Sequence, residues 1–111
     1  MRMAELKAAN ELKKEMLELR RRERRYRESG ETLEARRCAE KALFLFKKAM
    51  KEELKVLKFI EGIEDAHIRR LISLRFLDGL SWTAVAMKVG GGNTSDSVRK
   101  TIERFLKNNS R

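Results

Sequence analysis

The sequence has few of the residues that interrupt helices. It contains no proline and only six glycines in 111 residues. Proline lacks the backbone N–H that a helix interior needs, and glycine is entropically costly there, so their scarcity permits long uninterrupted helices. Aromatic residues make up only 6% of the chain and charged residues 40%, a balance too polar for one large core and typical of exposed amphipathic helices. We therefore predict an all-α fold.

Cysteine and histidine, the residue types of most metal and nucleophile sites, occur once each, as Cys38 and His67. A lone cysteine cannot form an internal disulfide, which fits a reducing compartment, and we expect Cys38 to be a small packing residue. His67 has no cysteine or histidine partner at metal-ligand spacing. No catalytic triad pattern surrounds Cys38. We expect no metal, no cofactor and no enzymatic activity.

Long apolar runs are also missing, whereas positive charge is abundant. No stretch reaches the ~18 apolar residues of a membrane-spanning helix, and the start of the chain lacks the apolar core of a signal peptide. We therefore expect no membrane partner and a cytoplasmic location. Lysine and arginine number 27 against 17 acidic residues, a formal net charge of +10. A charge of this size attracts polyanions, and nucleic acid is the usual one.

Apolar residues at helical spacing predict two long helices before Gly62. The first should cover residues 4 to 28 and end at Ser29-Gly30, because glycine accepts the conformation that ends helices. Its stripe consists of Leu12, Met16, Leu19 and Tyr26. The second should begin at Glu31 or Thr32 and end near Glu61. Its wider stripe consists of Ala35, Cys38, Ala39, Ala42, Leu43, Leu45, Phe46, Ala49, Met50, Leu54 and Leu57. A helical hairpin and a dimerising coiled coil both satisfy this width.

Capping residues and turn dipeptides predict three shorter helices after Gly62. These helices should span residues 64 or 65 to 77, 82 to 89, and 94 or 95 to 107. Their predicted caps are Asp65, Ser81, and either Asn93 or Thr94. Asp78-Gly79 and residues 90–93 form the turns between them. We place a domain boundary at Gly62, with a helical stem for oligomerisation at 1–62 and a DNA-binding domain at 63–111.

The spacing of Ala86 and Gly90 points to a helix-turn-helix. Two helices that cross closely need a small residue at the crossing and a glycine where the chain turns. The core of the three helices should comprise Ile68, Leu71, Ile72, Trp82, Val85, Ala86, Val89, Val98, Ile102, Phe105 and Leu106, with Arg75 facing inward or toward the stem. We expect Trp82 and Phe76 to be core residues rather than platforms for base stacking.

The last helix has the chemistry of a DNA-recognition helix. Its hydroxyl-rich first turn lets the backbone approach phosphates or base edges, and a helix N-terminus favours phosphate. Basic side chains follow within reach of phosphates or guanine edges. Residues expected in or beside the major groove are Thr94, Ser95, Ser97, Arg99, Lys100 and Arg104, and Asn93 is expected to contact DNA as well. Residues expected to touch flanking phosphates are Ser81, Thr83 and Lys88.

The segment "LRFLDGLSW", followed by "VA" and "DSVRKTIERFLK", resembles small phage and prophage transcriptional regulators whose C-terminal domain is like region 4 of bacterial sigma factors. The resemblance covers roughly residues 63 to 107. It implies sequence-specific binding of double-stranded DNA to control transcription of phage genes in a bacterial host, by DNA binding alone or together with host RNA polymerase. It also implies that Trp82, Val85 and Ala86 support a recognition helix at 94–104. The turn at 90–93 is about two residues longer than the tightest helix-turn-helix.

Two other functions remain open at this stage. The sigma-like module could grip RNA polymerase rather than DNA, which would make the chain an interaction protein. The chain could also be a DNA-packaging subunit of the small-terminase type, which likewise joins helix-turn-helix and oligomerisation elements. A homodimer through the N-terminal helices would fit two-fold operators. The six arginines within 20–27 are either a solvated helix end or additional phosphate contacts.

Overall fold

A computed structural model describes residues 1–109, and all regular secondary structure in this range is helical. The all-α prediction is confirmed. The helices are α1 (Met3–Glu28), α2 (Thr32–Glu61), α3 (Ala66–Ile72), α4 (Trp82–Val89) and α5 (Ser95–Asn108), and a π-helical segment, Ser73–Leu77, continues α3. Residues 110 and 111, the end of the predicted DNA-binding domain, lie outside the described residues.

Two compact units make up the chain. The hairpin unit comprises residues 8–52, and the C-terminal unit comprises residues 1–7 together with the chain from Glu53 onward. The first residues of α1 and the last two turns of α2 therefore belong to the same unit as α3, α4 and α5. The division into a 1–62 domain and a 63–111 domain stays a prediction.

The hairpin unit is built on small buried residues that recur every seven positions. Ala35, Ala42 and Ala49 are each at most 2% exposed, and Cys38 is buried beside them. A seven-residue repeat keeps one seam of a helix turned toward its neighbour. The long N-terminal hairpin is thus present, and its seam uses only half of the wide stripe on α2. The other half, represented by Leu43 and Phe46, is exposed by 49% and 43%.

The C-terminal unit has its own apolar core. Its members are Leu6, Val56, Ile60, Ile63, Ile68, Leu71, Ile72, Leu74, Phe76, Val85, Ala86, Val98, Ile102 and Leu106. The predicted core residues of α3, α4 and α5 are all buried or packed against this cluster, with Trp82, Val89 and Phe105 half-buried at its edge. Leu6 and Val56 were not expected here, because nothing in their local sequence links them to Ile68 and the core residues after it, which begin 62 positions after Leu6 and 12 positions after Val56.

The helix predicted from residue 64 or 65 to 77 is present, but its last turn widens, so that α3 ends at Ile72 and the π-helical segment reaches Leu77. Asp65 caps α3, and its carboxylate accepts hydrogen bonds from the backbone N–H groups of His67 (2.9 Å) and Ile68 (3.2 Å). In the π-helical segment the Asp78 N–H donates to the Ser73 carbonyl at 3.0 Å, five residues back. Such a widened turn changes the direction of the side chains that follow. Sequence periodicity did not predict this widening.

Arg75 joins α3 to α4. Its guanidinium donates to the Leu80 carbonyl at 2.8 Å and lies 4.7 Å from the centre of the Trp82 ring. The Trp82 ring in turn meets Phe76 edge-on, with centroids 6.1 Å apart. Arginine on an indole face is a favourable cation–π pair, so this stack holds the start of α4 on the core. The expectation that Arg75 faces inward fits its half-buried position.

Candidate nucleic-acid interface

Helix α4 is held at both ends by local hydrogen bonds. The Ser81 hydroxyl accepts from the Ala84 N–H at 3.1 Å and caps the helix, as predicted. At its other end the Gly90 N–H donates to the Ala86 carbonyl at 3.0 Å. Ala86 is 4% exposed, so a small side chain lies at the buried face of α4, where it packs on α5. The α4 and α5 pair therefore has the small residue and the glycine turn that a close crossing requires.

Three consecutive glycines make the turn between α4 and α5. All three have positive φ, and Gly90 combines φ 64° with ψ −149°, a region that other residues reach only at a cost. Asn93 closes the turn, because its backbone N–H and its side-chain amide both donate to the Gly90 carbonyl, at 3.2 and 2.7 Å. The turn at residues 90–93, which is longer than that of the tightest helix-turn-helix, is thus held together by its own hydrogen bonds. One N–H of the side-chain amide of Asn93, a predicted DNA contact, is therefore already used within the turn.

A reciprocal cap starts α5. The Thr94 hydroxyl accepts from the Ser97 N–H at 3.1 Å, while the Ser97 hydroxyl accepts from the Thr94 N–H at 2.9 Å and donates to the Thr94 carbonyl. This arrangement is a capping box, and it shows that Thr94 is the cap. Both hydroxyls were predicted DNA contacts, and both are engaged in ordering the helix N-terminus. Ser95 lies half-buried beside them.

The exposed face of α5 carries cations and two carboxylates. Val98, Ile102 and Leu106 face the core. On the opposite side of the helix are the exposed residues Asp96, Lys100, Glu103, Arg104 and Lys107. Four basic residues of α5, Arg99 among them, outnumber its two acids. The exposed face is therefore net positive, though less so than a count of its lysines and arginines alone would indicate.

Two residues of α5 that were predicted to contact DNA, Arg99 and Lys100, form ion pairs within the helix. The Arg99 guanidinium lies 2.6 Å from Asp96 and 2.9 Å from Glu103, and the Lys100 ammonium lies 3.0 Å from the second Asp96 oxygen. Hydrogen bonds from Lys100 and then from Arg99 lower the pKa of Asp96. The hydrogen bond to Asp96, followed by that to Glu103, raises the pKa of Arg99. Asp96 is thus the centre of a three-residue cluster.

These acidic partners were missed at the level of sequence, although a signal for them exists. Residues three and four apart on a helix are neighbours, and Asp96, Arg99, Lys100 and Glu103 have that spacing. Arg104 differs from the other α5 cations that were predicted to bind DNA. It is exposed and forms no hydrogen bond or ion pair within residues 1–109. Arg104 is therefore the cation of this face that needs no rearrangement to meet a phosphate.

The exposed side of α4 adds three side chains. Thr83 and Lys88 are exposed, as their predicted contact with flanking phosphates requires. Met87, which sequence reasoning overlooked, is 79% exposed and lies one turn after Thr83. Its helical position opposite Val85 was the available signal. Met87 places a large apolar group on the solvent side of the supporting helix.

Three further observations concern metal ligands, membrane spans and known proteins. Within the described range, residues 1–109, histidine, cysteine and carboxylate side chains do not gather into any group that could hold a metal ion. None of the helices in that range is both long enough and apolar enough to cross a membrane. Comparison of the chain with models of known protein families, with curated proteins and with solved structures found no match.

Proposed function

We propose that this protein is a sequence-specific DNA-binding transcriptional regulator that places α5 in the major groove of double-stranded DNA. The observation that carries the proposal is the exposed face of α5. A capped helix of 14 residues packs through one side on α4 and presents Lys100, Arg104 and Lys107 on the other. In a chain of net charge +10, such a face suits a polyanion better than any other partner.

The dimensions of α5 fit this role. At ~1.5 Å per residue the helix is about 21 Å long, and a major groove about 12 Å wide admits one helix. With the N-terminus of α5 toward the bases, Lys100 would lie nearest to them and Arg104 would reach a phosphate or a guanine edge. Thr83 and Lys88 on α4 would then contact the flanking backbone.

Binding requires Lys100 to exchange its partner. Lys100 now pairs with Asp96 in water, and exposed ion pairs of this type are weak. A phosphate offers Lys100 the same charge and releases condensed counterions as it is neutralised. We infer that DNA takes Lys100 from Asp96, which leaves Asp96 bound to Arg99 at the edge of the contact. Asp96 then limits non-specific affinity.

Paired recognition would follow from self-association of the hairpin unit. Leu43, Phe46 and Met50 are spaced three and four residues apart on α2 and are 43–49% exposed. Such spacing forms one apolar stripe that a second copy of the same stripe can cover. Helix-turn-helix dimers bind half-sites one helical turn, about 34 Å, apart. We propose a homodimer on this stripe, acting on phage-type operators.

Substitution of the α5 cations tests DNA binding. We expect Lys100→Ala and Arg104→Ala each to weaken binding to a selected operator by roughly tenfold and to flatten its salt dependence by about one phosphate contact. Fluorescence anisotropy titrations over a series of salt concentrations measure both quantities. Arg70→Ala is the matched control, because it removes an exposed cation of α3 outside the proposed interface. Unchanged affinity in the α5 variants, with helical circular dichroism retained, would refute the assignment.

The dimer has a separate test. Phe46→Lys places a charge in the exposed stripe, and we expect it to convert a dimer into a monomer in sedimentation equilibrium. The control Lys47→Glu alters the next residue, outside the stripe. A wild-type mass equal to one chain at all concentrations would exclude the dimer, and a mass well above two chains would favour a ring-forming DNA-packaging subunit. Retention on RNA polymerase without retention on DNA would favour the adaptor function.

A further inference from the structure

The end of the hairpin unit concentrates arginine. Residues 20–37 contain eight arginines and four glutamates, a net charge of +4. The turn at Ser29-Gly30 folds α2 back along α1, and an open cleft is lined by both Arg27 of α1 and Arg36 of α2. A second cleft at the same end is lined by Arg22, Arg25, Tyr26, Ser29 and Glu31. The hairpin thus joins arginines from both helices into one surface, which we call the arginine tip.

Glutamates neutralise only part of the arginine tip. Glu23 forms ion pairs with Arg27 at 3.1 Å and with Arg20 at 4.0 Å, and Glu34 forms one with Arg37 at 3.4 Å. Glu31 is held by the Ser29 hydroxyl at 2.9 Å. The arginines for which the described residues provide no hydrogen bond or ion pair are Arg21, Arg22, Arg24, Arg25 and Arg36. All five are exposed.

Four of these arginines share one side of α1. At about 100° per residue, Arg24, Arg21, Arg25 and Arg22 spread over roughly 160° of the helix surface. Tyr26 and Glu23, which are half-buried, lie on the opposite side, toward the hairpin seam. Like charges so close repel one another, which destabilises an isolated helix. An extended anion would remove that repulsion, and a nucleic-acid backbone supplies one charge for every ~1.7 Å of duplex.

The surroundings of the tip favour a nucleic acid over a lipid surface. Interfacial helices bury a large apolar face beside their basic residues. Among residues 20–37 the one large apolar side chain that is exposed is Leu33, at 60%, and a single leucine does not make an apolar face. Arginine also binds phosphate through two parallel N–H donors, which gives it geometric as well as electrostatic selectivity. Sequence reading is not required of such a surface, because phosphate contacts carry no base information.

We propose that the arginine tip is a second nucleic-acid site, which binds the phosphate backbone of duplex DNA without regard to sequence. The arginines of the tip that we expect to contact DNA are Arg21, Arg22, Arg24 and Arg25. They belong to a different unit of the chain from α5. The inference therefore does not depend on the proposed role of α5. Two such sites on one chain would let the protein hold DNA through the tip while α5 samples sequence.

The test compares two variants of the full chain with equal charge. One carries Arg21→Gln, Arg22→Gln, Arg24→Gln and Arg25→Gln. The control carries Lys41→Gln, Lys47→Gln, Lys48→Gln and Lys51→Gln, four exposed cations of α2 in the same unit. We measure binding to a short duplex of scrambled sequence over a series of salt concentrations. Each lost phosphate contact should reduce the slope of log K against log salt by ~0.9. We expect the arginine variant to lose about two to four phosphate contacts.

The control shows whether DNA binding depends on contacts made by these particular arginines or only on the net charge of the protein. The lysine variant should keep a slope close to that of the wild type. Equal loss in both variants, or no loss in the arginine variant, overturns the proposal. Binding of phosphatidylserine vesicles that falls in the arginine variant while duplex binding stays unchanged also overturns it, in favour of a lipid partner.

A double substitution at α5 separates this proposal from the previous one. In Lys100→Ala/Arg104→Ala protein, binding to the scrambled duplex should persist and should disappear when the four arginine substitutions are added. If the arginine substitutions abolish operator binding and the α5 substitutions have no effect, the proposal for the arginine tip is supported and the proposal for α5 is refuted. If the α5 substitutions abolish binding and the arginine substitutions have no effect, the proposal for the tip is refuted and the proposal for α5 stands.

Discussion

Replacement of Asp96 by asparagine is the sharpest test of how α5 meets DNA. Asp96 lies 2.6 Å from Arg99 and 3.0 Å from Lys100, and asparagine keeps its shape while removing its charge. The substitution should free Lys100, leave Arg99 bound to Glu103 alone, and remove a negative charge from the face that approaches phosphate. If α5 lies in the groove, the variant should therefore bind duplex DNA more tightly than the wild type.

The magnitude follows from the number of cations released. One additional phosphate contact, from Lys100, should steepen the slope of log K against log salt by ~0.9. At ~0.1 M salt, relative to ~1 M, each contact is then worth about eightfold in affinity. Because Arg99 stays paired with Glu103, only Lys100 is released, and we expect a gain of roughly eightfold on scrambled duplex and a smaller gain on the operator, where Lys100 is already engaged.

Fluorescence anisotropy over a series of salt concentrations measures this gain, and Glu103→Gln provides the control. Glu103 carries the same charge about two turns later and pairs with Arg99 alone, at 2.9 Å, so its removal leaves Asp96 holding both cations. The control should change affinity less than Asp96→Asn. Weaker binding by Asp96→Asn at every salt concentration would refute the reasoning, because it would mean that the carboxylate itself contacts a base or orders α5 for binding.

Three further predictions concern stability. The pKa of Asp96 is lowered below its ordinary value of 3.8, so its stabilising contribution is present above pH ~4 and is lost as the pH falls through the lowered pKa; thermal unfolding of wild type and Asp96→Asn should therefore converge in acid. Gly90→Ala should destabilise by about 1–3 kcal/mol in urea unfolding, because of its φ and ψ, whereas Gly62→Ala should be nearly neutral. Arg75→Met should lower the free energy of unfolding by about 1–3 kcal/mol, since it removes a hydrogen bond and the stack on Trp82. The control Arg70→Met, at an exposed position, should lower it by about 0.5 kcal/mol or less.

Each stability prediction has an outcome that contradicts it. A constant difference in melting temperature between wild type and Asp96→Asn down to pH ~2 would show that the carboxylate gains nothing from Lys100 and Arg99. Equal effects of alanine at Gly90 and Gly62 would show that the turn does not need a positive φ. Equal effects of methionine at positions 75 and 70 would show that the stack on Trp82 does not hold α4 in place.

Local chemistry accounts for the parts of this fold that were predicted. Asp65, Ser81 and Thr94 accept hydrogen bonds from amides two or three residues away, so the helix starts depend on nearby atoms alone. The ends of α1 and α2 at Gly30 and Gly62 are equally local. The buried faces of α4 and α5 follow from the 3.6-residue period. These features are decided within one or two helical turns, and one sequence is enough to recognise them.

Contacts between distant residues were beyond reach of the same reasoning. Leu6 belongs to the core formed by α3, α4 and α5, and Arg75 reaches Trp82 across a turn. The wide stripe on α2 was predicted as one surface, yet folding buries Ala42 and leaves Leu43 exposed. Which half of a stripe is covered depends on where the neighbouring helix lies, and no local period contains that information.

The basic character of the chain, its capped helices and its glycine turn were therefore already present in the amino-acid order, because each depends on composition or on neighbours along a helix. The tertiary structure decided which face of α5 is exposed. Packing turned Val98 and Ile102 inward, and so exposed the face that carries Asp96, Lys100 and Arg104, of which Arg104 forms no ion pair within the described residues. Availability of a charge depends on what surrounds it in space, and that is known only once the chain has folded.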